Sequence, residues 1–212
     1  MKLNRIMMVL PIAIMVLTFG SCKKDEYNSR DTSYVVPPPD VPSKPVDPTQ
    51  IVFDNADSKD GWQTVGDPVI EFSGAKQGTG YLKNTIANGS DFMQFIKHLQ
   101  KPLDTKLTTE NGQFSFWWYI SDVSALKADG QIEITSGGDA DKDEYGWDIA
   151  PMLPNLKNGW NEMNLNFKDA VQSGAPNPTA VNFFRIFLFT SSKDHSGVVT
   201  GVDGLVFRAV PQ

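Results

Sequence analysis

The feature that most constrains this chain is a two-residue alternation of apolar side chains, repeated in short runs that turn-forming pairs separate. In FSFWWYIS, residues 114–121, strand geometry sends Phe114, Phe116, Trp118 and Ile120 to one face and Trp117 and Tyr119 to the other. Similar runs, rich in aromatic and β-branched residues, predict strands over 51–54, 68–72, 80–84, 91–99, 113–121, 131–135, 144–149, 160–167, 183–190 and 202–209. Between them lie Asp60-Gly61, Asn88-Gly89, Asn111-Gly112, Asp129-Gly130 and Asn158-Gly159, pairs that tolerate the left-handed backbone of tight turns. No run beyond the N-terminal segment keeps a long helical period; Val123 to Ala128 and Lys168 to Gly174 read as single helical turns. The expected fold class is all-β, an antiparallel β-sandwich.

The N-terminus is of another kind. Lys2 and Arg5 precede an apolar run, Ile6 to Phe19, too short to span a bilayer as a stable helix, and small residues lead to Cys22. Residues 1–21 read as a cleaved signal peptide. Cys22 is the sole cysteine and resembles the acylated cysteine of a bacterial lipoprotein lipobox, the site of a palmitate-type anchor. The KKDE stretch at 23–26 resembles the signal that sends some lipoproteins to the outer face of the outer membrane. Residues 22–50 form the acylated N-terminus and a flexible linker, with six prolines between Pro37 and Pro48. Proline fixes φ and lacks an amide donor, so the linker reads as an extended stalk of about 3 Å per residue. The expected location is the outer membrane, lipid-anchored and facing the cell exterior.

Residues 51–212 have the size of one domain and hold no cysteine, so packing and not disulfides must stabilise it. A net charge of −6 argues against a nucleic-acid surface and is compatible with a neutral polymer. Two histidines, His98 and His195, without a mature cysteine exclude a zinc site of soft ligands. Glu133, Glu144, Asp148 and Glu162 offer carboxylates, yet the E-x-D-x-x-E signature of jelly-roll glucanases is missing, and the chain is expected not to be an enzyme. Asp139, Asp141 and Asp143 open like an EF-hand loop, but Glu144 and Ala150 break the motif, leaving a solvated hairpin turn.

Alternation assigns the outward rows. Ile132 and Ile134 point in, so Gln131 and Glu133 point out; Tyr145, Trp147 and Ile149 point in, leaving Glu144 and Asp148 out. Met163, Leu165 and Phe167 point in, with Trp160, Glu162, Asn164 and Asn166 outside. In FFRIFLF, Arg185 shares a face with Phe183, Phe187 and Phe189 and must pair with an acid or face a polar cleft. His98 reads as a hydrogen-bonded edge residue. Trp117, Tyr119, Glu133, Asp148, Asn164 and Arg185 together make a candidate ligand set. Aromatic planes suit the C–H faces of a pyranose, and planar polar groups suit its hydroxyls.

The stretch VFDNADSKDGW, the later GWNEMNLNF and the ending GVDGLVFRA resemble carbohydrate-binding modules of the galactose-binding-like jelly-roll group. Asp203-Gly204 departs from the acidic pair usual in that group. The resemblance implies a jelly roll that requires no cofactor but is able to hold a structural calcium ion between first and last strands, with Asp54 and Asp203 as ligands. It implies non-catalytic binding of polysaccharide or oligosaccharide at the cell surface, with other surface glycan-uptake proteins as partners. Laminin-G and concanavalin-like jelly rolls remain competing groups. A structural or adhesive subunit of an outer-membrane protein complex and a polysaccharide hydrolase or lyase remain the alternative functions.

Overall fold

In the computed structural model, which describes residues 49–210, the alternating runs become twelve strands. They are β1 Ile51–Asp54, β2 Trp62–Val65, β3 Asp67–Glu71, β4 Tyr81–Thr85, β5 Phe92–Leu103, β6 Gly112–Ile120, β7 Leu126–Thr135, β8 Glu144–Asp148, β9 Gly159–Asn166, β10 Val171–Ser173, β11 Val181–Thr190 and β12 Val199–Ala209. The signal segment, Cys22, the KKDE stretch and nearly all of the linker lie outside the described residues.

Every strand pairing is antiparallel. Sheet one has the order β3-β4-β12-β6-β9, with β1 also along β12; sheet two has the order β10-β8-β7-β11-β5-β2. The inward rows of both sheets meet as one core, as alternation requires of a sandwich. At its centre Phe184 of sheet two lies 5.6 Å from the Phe114 ring and 5.8 Å from the Phe116 ring of sheet one. Phe114, Phe116, Trp118 and Ile120 are all buried, as expected, and each large side chain so placed contributes about 1.5–3 kcal/mol by leaving water.

The departures from expectation are short strands and two glycines. β2 and β10 are not legible, because WQTV and the exposed VQS carry too little apolar alternation to read. The expected helical turns are 3₁₀ turns at Val123–Ala125 and Phe167–Asp169. Asp129-Gly130 is no chain reversal: β7 runs straight through it, and Gly130, at φ +137°, lets the backbone of β11 approach so closely that a Cβ would fall 2.5 Å from the Phe187 carbonyl. Asn111-Gly112 sits at the start of β6, where a Cβ on Gly112 would fall 2.3 Å from the Phe167 ring.

Candidate functional site

The six residues expected to contact ligand are divided between the two outer faces of the sandwich. Glu133, Asp148 and Arg185 stand on sheet two, whereas Trp117, Tyr119 and Asn164 stand on sheet one. The structure therefore does not gather them on a single sheet.

On sheet two the register lines up two rows across the strands. One runs Gln63, Ile96, Arg185, Glu133, Gly146 and Val171; the next runs Val65, Gln94, Phe187, Gln131 and Asp148. Half-buried Phe92 and Phe189 continue this face, 4.9 Å apart, with Phe187 6.4 Å from Phe92. His98, expected at an edge, lies on β5 one residue past the reach of β2, so that it borders β11 alone, and packs edge to face on Phe183 at 4.9 Å. Arg185 does pair with acids. Its Nε lies 2.5 Å from Glu133, its Nη2 donates to Asp141 at 3.1 Å, and its guanidinium lies 4.7 Å from the Phe187 ring centre. The hairpin at 136–143, expected to be merely solvated, thus delivers Asp141 as a partner, with φ +59° at that residue.

Glu133 points away from the core as expected, yet it is fully buried. Its neighbour in register, Gly146, has no side chain, and Glu144 folds into that space, so that its carboxylate lies beside that of Glu133. Burial, against the attraction of Arg185 and helped by Glu144, pushes Glu133 up to about 8; burial also raises Glu144. Glu133, Asp141 and Glu144 have oxygens within 4.8 Å of one another, but the cation among them is the guanidinium of Arg185.

On sheet one Tyr119 and Trp160 are neighbours in register, and Gly201 follows on the other side of Tyr119. Tyr81 lies over Gly201 and completes a three-ring cluster, 4.9 Å from Trp160 and 6.3 Å from Tyr119. Trp117 is half-buried, with the Lys76 ammonium 4.9 Å from its ring centre. Asn164 Oδ1 already accepts from Ser115 at 3.0 Å and Arg208 at 2.6 Å. A groove of about 770 Å³ follows the edge of β9, lined by Trp117, Trp147, Asp148, Trp160, Glu162 and the segment 151–157 among others. It brings Trp117, Asp148 and Asn164 to one concavity.

The two expected metal ligands have separate partners. Asp54 binds the Lys97 ammonium at 2.6 Å and accepts from the Ala56 amide at 2.7 Å and the Trp62 indole at 3.2 Å. Asp203 is fully buried; one oxygen accepts from the amides of Lys76 and Gln77, and the other has no partner. Burial, reinforced by Asp57, pushes Asp203 up to about 6. The side-chain oxygens of Gln50, Asn55 and Gln77 are also buried without partners. Gln50 and Gln77 line one small cavity with Gly204, next to Asp203. A buried carboxylate with orphaned amide oxygens is the donor chemistry a hard cation such as calcium takes.

No family model matches the sequence, and no curated protein matches it. Among solved structures, the fold is similar to the family 11 carbohydrate-binding module of cellulosomal cellulase Lic26A-Cel5E of Clostridium thermocellum. The TM-score is 0.50 at 9% identity, over 77% of this chain and 96% of that one. The family 30 carbohydrate-binding module of cellulosomal cellulase Cel9D-Cel44B of the same organism gives 0.48 at 12% identity, over 77% and 94%. An exo-β-agarase gives 0.48 at 10% identity, over 76% of this chain and 25% of that one. At 9% identity the first likeness establishes a shared fold, the antiparallel β-sandwich of a carbohydrate-binding module.

The raised carboxylates give stability a defined pH dependence. An acid whose folded pKa lies above its ordinary value adds stability at low pH that is lost as pH rises through the folded pKa. Between about pH 5 and about pH 9, thermal melts should therefore show a falling Tm, as the Glu133 and Glu144 pair loses its shared proton beside Asp141. Glu144→Gln should flatten this fall; a wild-type Tm that rises over the same range contradicts the assignment.

Proposed function

We propose that the domain binds neutral polysaccharide or oligosaccharide without catalysis, on the outer face of sheet two. The observation that carries this reading is Arg185, pinned by Glu133 and Asp141 and stacked over Phe187 in the middle of a six-stranded face. The outward row of a sandwich strand is ordinarily polar, whereas here Phe92, Phe187 and Phe189 lie half-buried beside Gln94, Gln131 and Asp148. Rings for sugar C–H faces and planar donors and acceptors for hydroxyls are thereby fixed before ligand arrives, which lowers the entropy cost of binding. The guanidinium is already paired with Asp141 and with the proton-sharing carboxyl pair of Glu133 and Glu144, and the chain carries −6 overall, which disfavours anionic glycans. The shared fold with a carbohydrate-binding module supports the same reading.

A glycan array probed with the soluble domain from Ile51, followed by calorimetric titration, tests it. Phe187→Ala should weaken binding by about 1–3 kcal/mol, the range for a large aromatic at a binding hot spot, with the fold retained. Failure to bind any glycan, with capture of an outer-membrane protein instead, would transfer the domain to the adhesive class; release of reducing sugar would make it a hydrolase or lyase.

Two further parts of the reading concern the setting. Asp203, with Gln77 and Gln50, would hold a structural calcium ion that locks the 72–80 loop onto β12. Asp54 stays with Lys97. Chelation should lower the Tm, and Asp203→Asn should abolish the difference between chelated and calcium-loaded protein; an unchanged Tm in excess chelator rejects the ion. Cys22 would carry the lipid anchor at the outer membrane, facing outward with the glycan-uptake proteins. Cys22→Ala should release the protein from the membrane fraction, and retention there defeats the anchor.

A further inference from the structure

We infer that the groove along the free edge of β9 is a second glycan site, adjoining the outer face of sheet two at Asp148 and selective for uncharged sugars; the inference rests on the reading that the domain binds glycan. The topology makes the groove. β9 is the last strand of sheet one, and β10 pairs only with Glu144, Tyr145 and Gly146 of β8, which leaves Trp147 and Asp148 without a neighbouring strand on that side. Pro151 to Lys157 lies beside them as a wall, and about 770 Å³ opens between, the size of a small-ligand pocket.

Three of the five tryptophans in the chain line this space. Trp147 is buried and donates its indole N–H to the Asn166 carbonyl at 3.2 Å, so it is a fixed wall. Trp160 is half-buried and braced by Tyr81 at 4.9 Å and Tyr119 at 5.4 Å, both near perpendicular, so its ring is oriented without a ligand. This is where the outward aromatic row of β6 acts: Tyr119 holds a platform instead of being one. Trp117 divides its surface between the small cavity of Gln50 and Gln77 and the large groove.

Asn161, Asn164 and Asp169 of the lining already have hydrogen-bond partners, but part of the polar lining is unspent. Among the described residues, the side chains of Asp148 and Asn155 make no hydrogen bond or ion pair, and Glu162 has only Arg208 at 4.0 Å. These acceptors suit hydroxyl donors. The lining carries Asp148, Glu162 and Asp169 against the Lys157 ammonium, with Arg208 beside Glu162 and Lys76 over Trp117; Asp148 and Asp169 have no cationic partner among the described residues, so a uronate or sulfated sugar meets repulsion from these two. Asp148 also ends the Phe187 row, so a long polymer leaving sheet two over Asp148 reaches the groove, and each site raises the effective concentration at the other.

The two sites are optically distinct, because the outer face of sheet two has phenylalanines and no tryptophan. The test titrates the full chain with neutral tetrasaccharides of glucose, xylose and mannose, and with a tetra-uronate, following tryptophan emission and calorimetric stoichiometry together. The expected result is two equivalents of a neutral tetrasaccharide, an emission change that persists in Phe187→Ala, and no response to the uronate. Trp160→Ala should lose the emission change and one equivalent. Exposed Glu162→Ala, which removes no core contact, should weaken the emission-detected site about tenfold, as loss of a hydrogen bond to a charged group does. One equivalent that is silent in emission overturns the groove and leaves the glycan reading standing. No binding of any sugar overturns both, and an equal response to uronate overturns the selectivity.

Discussion

The contact on which the rest depends is the aromatic seam between the sheets, where Phe184 meets Phe114 and Phe116 and Phe53 closes over Phe114, Phe184 and Phe207. Burying these rings fixes which member of every adjacent residue pair is inside. A strand that slipped by one residue would exchange its rows, exposing phenylalanine and burying Arg185 or Glu162, so register is held strongly. Both outer faces are therefore consequences of the seam. Phe187 and Phe189 on sheet two, and Trp117 and Trp160 on sheet one, are outside because their neighbours are inside.

The charged group at the centre of sheet two follows the same logic at a higher cost. A carboxylate buried as completely as Glu133 is tolerable only with a cation or a proton, and the site has both: Arg185 at 2.5 Å and a raised affinity for hydrogen ion shared with Glu144. Breaking such an arrangement by removing one member leaves a charge in a poor dielectric. That makes Arg185 stiff. A stiff guanidinium stacked on Phe187 is an unpromising source of stability, since apolar replacements often do as well; under the proposed reading it keeps donors aimed at a ligand.

Much of this was legible in the sequence. The inward rows of β6, β7, β8, β9 and β11 follow from period-two alternation, and the need of Arg185 for an acid follows from the apolar run around it. What alternation does not carry is which sheet a strand joins. It distinguishes in from out, and in a sandwich the two outward directions are opposite, so Trp117 and Arg185 belonged to one expected set and stand on opposite faces. The choice of partner acid was hidden for a related reason. Asp141 reaches Arg185 across 44 positions, because the β7–β8 hairpin folds back over a β11 that comes later in the chain. Burial of Glu133 depended on Glu144 filling the space over Gly146, a cross-strand relation with no local signature. In the same way Asp54, grouped with Asp203 by resemblance, was claimed by Lys97 of a distant strand.

Strand β12 has one more consequence. It is the last strand of the described chain and the middle of sheet one: β6 lies along one side, and β4 and β1 share the other, with Ile51 opposite Phe207. Until residues 199–209 are available, β1, β4 and β6 have no common partner, and the seam lacks Phe207. A contact map dominated by such distant pairings folds slowly. Sheet two and the β3–β4 and β6–β9 pairs need nothing from β12, so the two halves of sheet one are like separate pages until this one strand binds them along its two edges.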